Sequence, residues 1–184
     1  MNNLQVVNQK TNSDLILLYN SKFVRKIQKN LSQILKNIDL NQIKESMILK
    51  NNNQKENLII IVDFQEQIQN GSDFLQLKYF RDILESLNKD TNYKNIVNII
   101  SEIGVLGHEI QYFRALQYAA VINISQAYAL KLGSSKIRIN NICVPENIEL
   151  SDNFTLCNLT KFLLSSDSIN ITGQTLSLSK ELLR

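Results

Sequence analysis

NLIIIVDF, from Asn57 to Phe64, is an unbroken aliphatic run bounded by polar residues. With no alternation it has no wet face, so it reads as a strand buried on both sides of a parallel sheet. KNIVNIIS, Lys94 to Ser101, repeats the pattern. Between them, after a turn over Gln65 to Ser72 that carries Asn70-Gly71, DFLQLKYFRDILESLNK places Phe74, Leu77, Phe80, Ile83, Leu84 and Leu87 on one helical stripe. Strand, helix and buried strand in that order form the repeating unit of a layered α/β fold.

Working outward, the polar stretch Asn51 to Asn57 reads as a loop and residues 40 to 50 as weakly helical. Ser21 is placed to cap a helix from Lys22 to Lys36, with Phe23, Ile27, Leu31 and Ile34 or Leu35 recurring at helical spacing. DLILLY, Asp14 to Tyr19, reads as a buried strand, and residues 1 to 13 as a polar N-terminal extension open to disorder. On the other side come a loop over Glu102 to Ile110, a helix over Gln111 to Leu132, and a strand over Lys136 to Val144 ended by Pro145, the sole proline. A short helix over Leu159 to Ser166 and a strand over Gly173 to Ser179 close the series. The expectation is an α/β protein with a mainly parallel sheet in a single domain spanning 1 to 184, which suits the length.

Twenty basic against 17 acidic residues give a net charge of +3, too balanced to mark a nucleic-acid binder. Lys22, Arg25, Lys26 and Lys29 cluster at helical spacing and read as a solvated face, the alternative being a patch for phosphate or an acidic partner. Cys143 and Cys157 sit among apolar neighbours as small core residues, without metal or disulfide spacing. His108 has no second histidine or cysteine nearby, so no metal is expected. The opening MNNLQVVNQK lacks a secretory core, which makes cytoplasm the expected location, or an organellar matrix if a leader has been removed. Five glycines, where a usual ~7% would give about 13, leave the first 70 residues with none, so no glycine-rich phosphate loop exists there.

The Gln111 to Leu132 helix carries only Arg114 and Lys131 as charges. Its central Gln117, Asn123, Ser125 and Gln126 argue against membrane insertion. A helix apolar on nearly every side needs cover on two faces, one from the sheet and the other from a partner chain.

IVNIISEIGVLG, QYFRALQYAAVINISQAYALKL, KIRINNICVPENI and KFLLSSDSINITGQTLSLS, in this order and spacing between Lys94 and Ser179, resemble the short-chain dehydrogenase/reductase family, most closely its ketoacyl-acyl-carrier-protein reductase branch. The resemblance implies a truncated, Rossmann-like doubly wound sheet with helices on both faces. It also implies pairing through the long helix and through the last helix and strand. The candidate contact residues are Tyr112, Phe113, Leu116, Ala119, Ala120, Asn123 and Tyr128 on the long helix, with Phe162 and Leu163, and Leu176 and Leu178, from the later segments. Gly104, Gly107 and Gly173 match the family's turn positions, where backbone geometry accounts for them.

Carried over residue by residue, the chemistry of that family is mostly missing. Its serine falls on Ser101, which equally reads as a strand-end residue satisfied by a local hydrogen bond. Its acid tyrosine falls on Arg114 and the lysine four residues on falls on Tyr118. A guanidinium stays protonated and cannot serve as that acid. A reversed pair, with Tyr118 as the acid, would stand the phenol where the ribose belongs. Tyr19-Asn20-Ser21-Lys22 replaces the glycine-rich turn, and Asp63-Phe64-Gln65-Glu66 replaces an Asn-Asn-Ala-Gly turn. Pro145-Glu146 replaces a Pro-Gly pair, Leu150 stands at a threonine position, and Glu146 to Asn158 is too short for a substrate lid. Ser101, Arg114 and Tyr118 are therefore vestigial positions. No cofactor, metal or small-molecule substrate is expected. The expected role is a catalytically inactive subunit that stabilises or positions a protein partner, an active reductase of the same family before others. The alternative is a structural subunit of a larger assembly, and an active NAD(P)-dependent oxidoreductase stands third.

Overall fold

The computed structural model describes residues 4–7, 13–18, 22–31, 56–64, 75–87, 92–147 and 153–178. The expected helix over 40–50, most of the polar loop at 51–55, the Asn70-Gly71 turn, Leu150 and the Tyr19 to Ser21 turn lie outside them.

Six strands form one sheet in chain order: β1 (Leu4–Val7), β2 (Ser13–Leu18), β3 (Asn57–Val62), β4 (Asn95–Ser101), β5 (Arg138–Val144) and β6 (Thr175–Ser177). All neighbours from β2 to β6 are parallel, whereas β1 pairs antiparallel with β2. Residues 4–7, within the polar N-terminal extension, supply an edge strand, with Val6 opposite Ile16. Its apolar Leu4, Val6 and Val7 lie scattered among polar residues, and backbone pairing joins them to the edge of β2.

The helices are α1 (Lys22–Leu31), α2 (Leu75–Ser86), α3 (Ile103–Leu106), α4 (Tyr112–Leu132) and α5 (Asn153–Leu164). They cover both faces of the sheet. Leu58, Ile60 and Val62 of β3, with Ile96 and Ile100 of β4, face α2 and α4. Ile59, Ile61, Val97 and Ile99 face the other way, toward α1 and α5. Leu58 to Val62 are all fully buried, and each such aliphatic side chain stabilises the fold by roughly 1.5–3 kcal/mol relative to exposure. Strand order never reverses, yet α5 lies on the opposite face from α2 and α4. The β5–α5–β6 crossover consequently has the opposite hand to the two before it, in a setting where one hand is the strong rule.

Two differences in detail have local causes. α5 begins at Asn153 rather than Leu159, because Leu156, Cys157, Leu163 and Leu164 form one buried stripe that extends the apolar pattern backwards. The expected loop after β4 contains the one-turn helix α3, packed against α4.

Polar rows cross the sheet on each face. Asn98 of β4, Asn141 of β5 and Thr175 of β6 stand in register. Asn98 donates to Asn141 at 3.0 Å and to Ser125 of α4 at 3.0 Å, and Asn141 donates to Thr175 at 3.1 Å. Near the amino ends of the strands and on the other face, Asn57, Asn95 and Arg138 form a second row. The buried Arg138 guanidinium donates to the carbonyls of Leu163 at 3.0 Å, Ser165 at 3.0 Å, Ser168 at 2.8 Å and Ile171 at 3.1 Å, and to Asn95 Oδ1 at 2.6 Å. One cation thus collects the carbonyls that α5 leaves unpaired at its C-terminus and those of the turn leading to β6, with the helix dipole favouring its charge. It also donates to the Ser168 hydroxyl at 3.0 Å. Burial lowers its pKa, and the six acceptors keep it charged.

Arg138→Met should cost about 3 kcal/mol or more, since several buried carbonyls lose their donor together. Arg138→Lys should recover less than half of that, because an ammonium lacks the planar fork. Urea unfolding followed by circular dichroism measures both; a loss below about 1 kcal/mol for the Met variant would remove Arg138 from this role.

Candidate functional site

In a parallel sheet the carboxyl ends of the strands form the crevice where ligands of open α/β folds bind. Here Asp63 follows β3, Ser101 ends β4, and Pro145-Glu146 follows β5. The first turns of α4 bring Arg114 and Tyr118 over this edge, one helical turn apart and on the same face. All three positions carried over from the resemblance, Ser101, Arg114 and Tyr118, meet in one cluster.

The cluster is closed on itself. Arg114 is 5% exposed and Tyr118 0%. Arg114 Nη2 lies 3.0 Å from Asp63 Oδ1, and Nη1 lies 3.0 Å from Glu146 Oε1. Nη1 also donates to Gln111 Oε1, and the Tyr118 hydroxyl donates to the same Asp63 oxygen. Arg114 Nη2 reaches the Tyr118 oxygen at 3.3 Å. Phe64 stands edge-on to the Tyr118 ring, with centroids 4.9 Å apart. Ser101 is fully buried, donates to Glu146 Oε1 at 3.4 Å and accepts from the Ile103 N–H at 3.4 Å. Its hydroxyl is engaged locally, as a strand-end serine would be.

The electrostatics follow from this geometry. Burial, and then the adjacent Asp63 carboxylate, hold the Tyr118 phenol well above the ordinary tyrosine range. Burial works against the Arg114 charge, but the Tyr118 oxygen, Asp63 and Glu146 outweigh it and raise its pKa. A phenol that keeps its proton and a guanidinium that never releases one form a static pair, unlike a group poised near neutrality for proton transfer. Two carboxylates around one guanidinium satisfy its charge inside the protein. Asp63 and Glu146 were read from sequence only as replacements for a turn and a Pro-Gly pair; that both changes are carboxylates, in a chain with Arg at the acid position, was the available signal.

α3 holds the cluster from outside. Gly104 presses on α4 so closely that a Cβ there would stand 2.6 Å from Tyr118 Cβ and 3.0 Å from the Tyr118 carbonyl carbon. Close approach therefore explains this glycine, while Gly107 and Gly173 sit at positive φ. His108 accepts from the N–H groups of Ile110 at 3.2 Å and Gln111 at 3.1 Å, capping the entry to α4. Among the described residues, no three His, Cys, Asp or Glu side chains gather as a metal set, and no helix is long and apolar enough to cross a membrane. Cys143 and Cys157 are buried free thiols.

The candidate contact residues divide. Tyr112 and Leu116 are 70% and 58% exposed, Phe162 and Asn123 are exposed, and Phe113, Ala119, Ala120, Leu176 and Leu178 are half-buried. Tyr128 is half-buried and donates to Glu85 of α2, beside a Lys131–Glu85 ion pair at 2.7 Å. Leu163 is corrected: at 1% exposed it belongs to the core under α5 and faces the sheet. On the basic helix α1, Phe23, Val24, Ile27 and Leu31 are buried while Arg25, Lys26 and Lys29 are exposed.

No family model matches the chain, and no curated protein matches it. Among solved structures the chain is similar to a short-chain type dehydrogenase/reductase from Mycobacterium ulcerans, with 18% identity and a TM-score of 0.45 over 67% of this chain and 58% of that one. It is also similar to levodione reductase, with 13% identity and a TM-score of 0.49 over 70% of this chain and 66% of that one. The chain thus spans less than two thirds of the length of either. At these values each is a likeness in fold and nothing more.

Two outcomes are expected. Gly104→Ala should destabilise by about 1–3 kcal/mol, because helix backbone rather than a flexible side-chain end must give way; thermal unfolding measures it. Below about pH 10, the value of a free tyrosine, the folded and unfolded chains both keep the Tyr118 proton and its contribution is whole. Above that, the unfolded chain releases its proton first and stability falls with rising pH. Cys143, raised to about 12 by burial, acts in the same direction. So does Tyr128, raised to about 12 by burial and then by Glu85. Tyrosinate absorbance should show one of the six tyrosines ionising only together with unfolding. Tyr118→Phe should abolish that component; a freely titrating Tyr118 would contradict the closed cluster.

Proposed function

We propose that this chain is a non-catalytic subunit, built on a short-chain-reductase-like scaffold, that pairs with another polypeptide and stabilises or positions it. The observation that carries this reading is the Asp63–Arg114–Tyr118 cluster. At the carboxyl edge of the sheet, the position that the resemblance gives to an acid tyrosine holds Arg114, whose guanidinium is bound to Asp63. The only phenol in the cluster is wholly buried and donates to that same carboxylate. A substrate carbonyl would have to displace an internal ion pair to reach it, and breaking such a pair costs roughly 3–5 kcal/mol before any chemistry begins.

The burial pattern of α4 supports the pairing half. Arg114, Gln117 and Ser125 are on its buried side, whereas Tyr112, Leu116 and Leu130 are exposed, Leu130 at 86%. Ala115, Tyr118, Val121, Ala129 and Leu132 complete that buried side, so Tyr112, Leu116 and Leu130 are apolar side chains beyond those the sheet covers. Exposed apolar side chains sharing one helix suit a second protein surface. A reductase with an intact Tyr-x-x-x-Lys pair is the partner that the resemblance suggests.

The test combines two measurements. Titration of the purified full chain with NADPH and with NADH, followed by nucleotide fluorescence, is expected to show no saturable binding. Purification of the particle from its native source is expected to recover a second polypeptide in fixed ratio. Saturable nucleotide binding with turnover of a carbonyl substrate would overturn the non-catalytic reading, and recovery of a lone monomer would overturn the pairing.

A further inference from the structure

Between α3 and α4 lies a short connection, Gly107 to Gln111, and a histidine side chain holds it. The flanks are anchored by backbone: the Gly107 N–H donates to the Ile103 carbonyl at 2.9 Å, and the Ala115 N–H donates to the Gln111 carbonyl at 3.0 Å. Between these anchors His108 Nδ1 accepts from the Ile110 N–H at 3.2 Å and from the Gln111 N–H at 3.1 Å. Both bonds need the lone pair of Nδ1, so they exist only while that nitrogen carries no proton. Gln111, at the N-cap position, makes no capping bond with its own side chain; that side chain accepts from Arg114 instead. One residue thus ties the connection to the buried cluster, its N–H held by His108 and its amide oxygen by Arg114.

We propose that His108 is a proton-operated latch: with a neutral ring it holds Ile110 and Gln111 at the head of α4, and on protonation it releases them. The latch belongs to a single chain and does not depend on the subunit reading. A proton on Nδ1 removes both acceptor bonds at once and turns a third donor toward the two N–H groups. The new charge also stands beside the N-terminus of α4, where the helix dipole is positive. Histidine ordinarily changes charge between pH 5 and 8, and His108 is the chain's one histidine. The charged groups on the flanking elements are few. Glu109 follows His108 in the connection and Glu102 precedes α3, and a carboxylate favours a charged ring. Arg114, in the first turn of α4, disfavours one, although Asp63 and Glu146 already bind that guanidinium. α3 itself carries no charged side chain. These groups move the pH at which the latch opens but not its direction: closed at higher pH, opened as pH falls. The segment it governs carries Ile110 outward, 83% exposed, and leads into Tyr112, 70% exposed, so the latch fixes how an apolar pair is presented.

His108 is exposed, so replacing it leaves the core untouched. The test is nuclear magnetic resonance of the isotope-labelled full chain between pH 8 and pH 5. The single histidine gives one ring titration, and the Ile110 and Gln111 amide signals are expected to shift along the same curve. Their hydrogen exchange, corrected for the intrinsic effect of pH, should be at least about 5-fold faster on the acid side, the scale set by the net worth of an ordinary hydrogen bond. His108→Asn, whose amide oxygen accepts from nearby backbone N–H groups without titrating, should keep both amides in place at every pH. His108→Ala should show the acid-side signals even at pH 8, and Glu109→Gln should leave the linked shift intact. The proposal is overturned by a ring that does not titrate in this range, or by one that titrates while the two amides stay put. It is equally overturned if the amides still move with pH in His108→Asn or His108→Ala, or cease to move in Glu109→Gln, since another group would then carry the change.

Discussion

One buried cation organises the upper edge of this protein. Arg114 has to be neutralised inside the fold, and the groups that do it come from different elements: Asp63 after β3 and Glu146 after β5. Removing either carboxylate would leave a guanidinium in a poorly solvated position, which is far costlier than losing a surface ion pair. The requirement pins the start of α4 over the carboxyl ends of the strands, and Tyr118, one turn on, shares the Asp63 oxygen. Gly104 then has to be small because α3 rests on the backbone carrying Tyr118. Ser101, through Glu146, and Phe64, edge-on to Tyr118, complete the cluster. A region that in an open α/β sheet ordinarily stays available for a ligand is here settled by internal charge balance.

The lower edge is organised by a second arginine under the opposite condition. Arg138 has no carboxylate among its hydrogen-bond partners; its partners are carbonyls, one amide oxygen and the Ser168 hydroxyl. Such partners offer many weak dipoles in place of one charge, which suits a site where α5, the turn after it and three strand starts must be joined. The α5 crossover, which goes to the face opposite α2 and α4, depends on that junction: the helix has to end where its carbonyls reach Arg138 and not on the α2 and α4 side. The fold is thereby clamped at both ends of the sheet by guanidinium groups performing different electrostatic tasks.

The strands were legible in the sequence because doubly buried strands leave an unmistakable aliphatic run, and β3 and β4 lie where NLIIIVDF and KNIVNIIS stand. The start of α5 was less so, since Asn153 and Thr155 break the apolar pattern and only the burial of Leu156 and Cys157 reveals that the stripe begins there. β1 was invisible for a different reason. An edge strand is held chiefly by backbone pairing, so four residues amid polar neighbours carry no periodicity to detect. In the candidate site, Arg114 and Tyr118 were identifiable as departures from a pattern. What they bind was not, because Asp63 lies 51 residues from Arg114, and no local rule links a residue after one strand to a side chain on a helix four elements later.

The distribution of residues along α4 separates the charge cluster from the outer face of the helix. In a helix, positions four apart share a face, and positions two apart lie on opposite ones. Arg114 and Tyr118 point into the cluster, and Tyr112 and Leu116 therefore point away from it. Changing the first pair alters the charge balance under the helix and leaves the outer stripe untouched, provided the helix stays in place. The Asp63 and Glu146 ion pairs hold it there. The charges that occupy the crevice thus also orient the outer face of the helix.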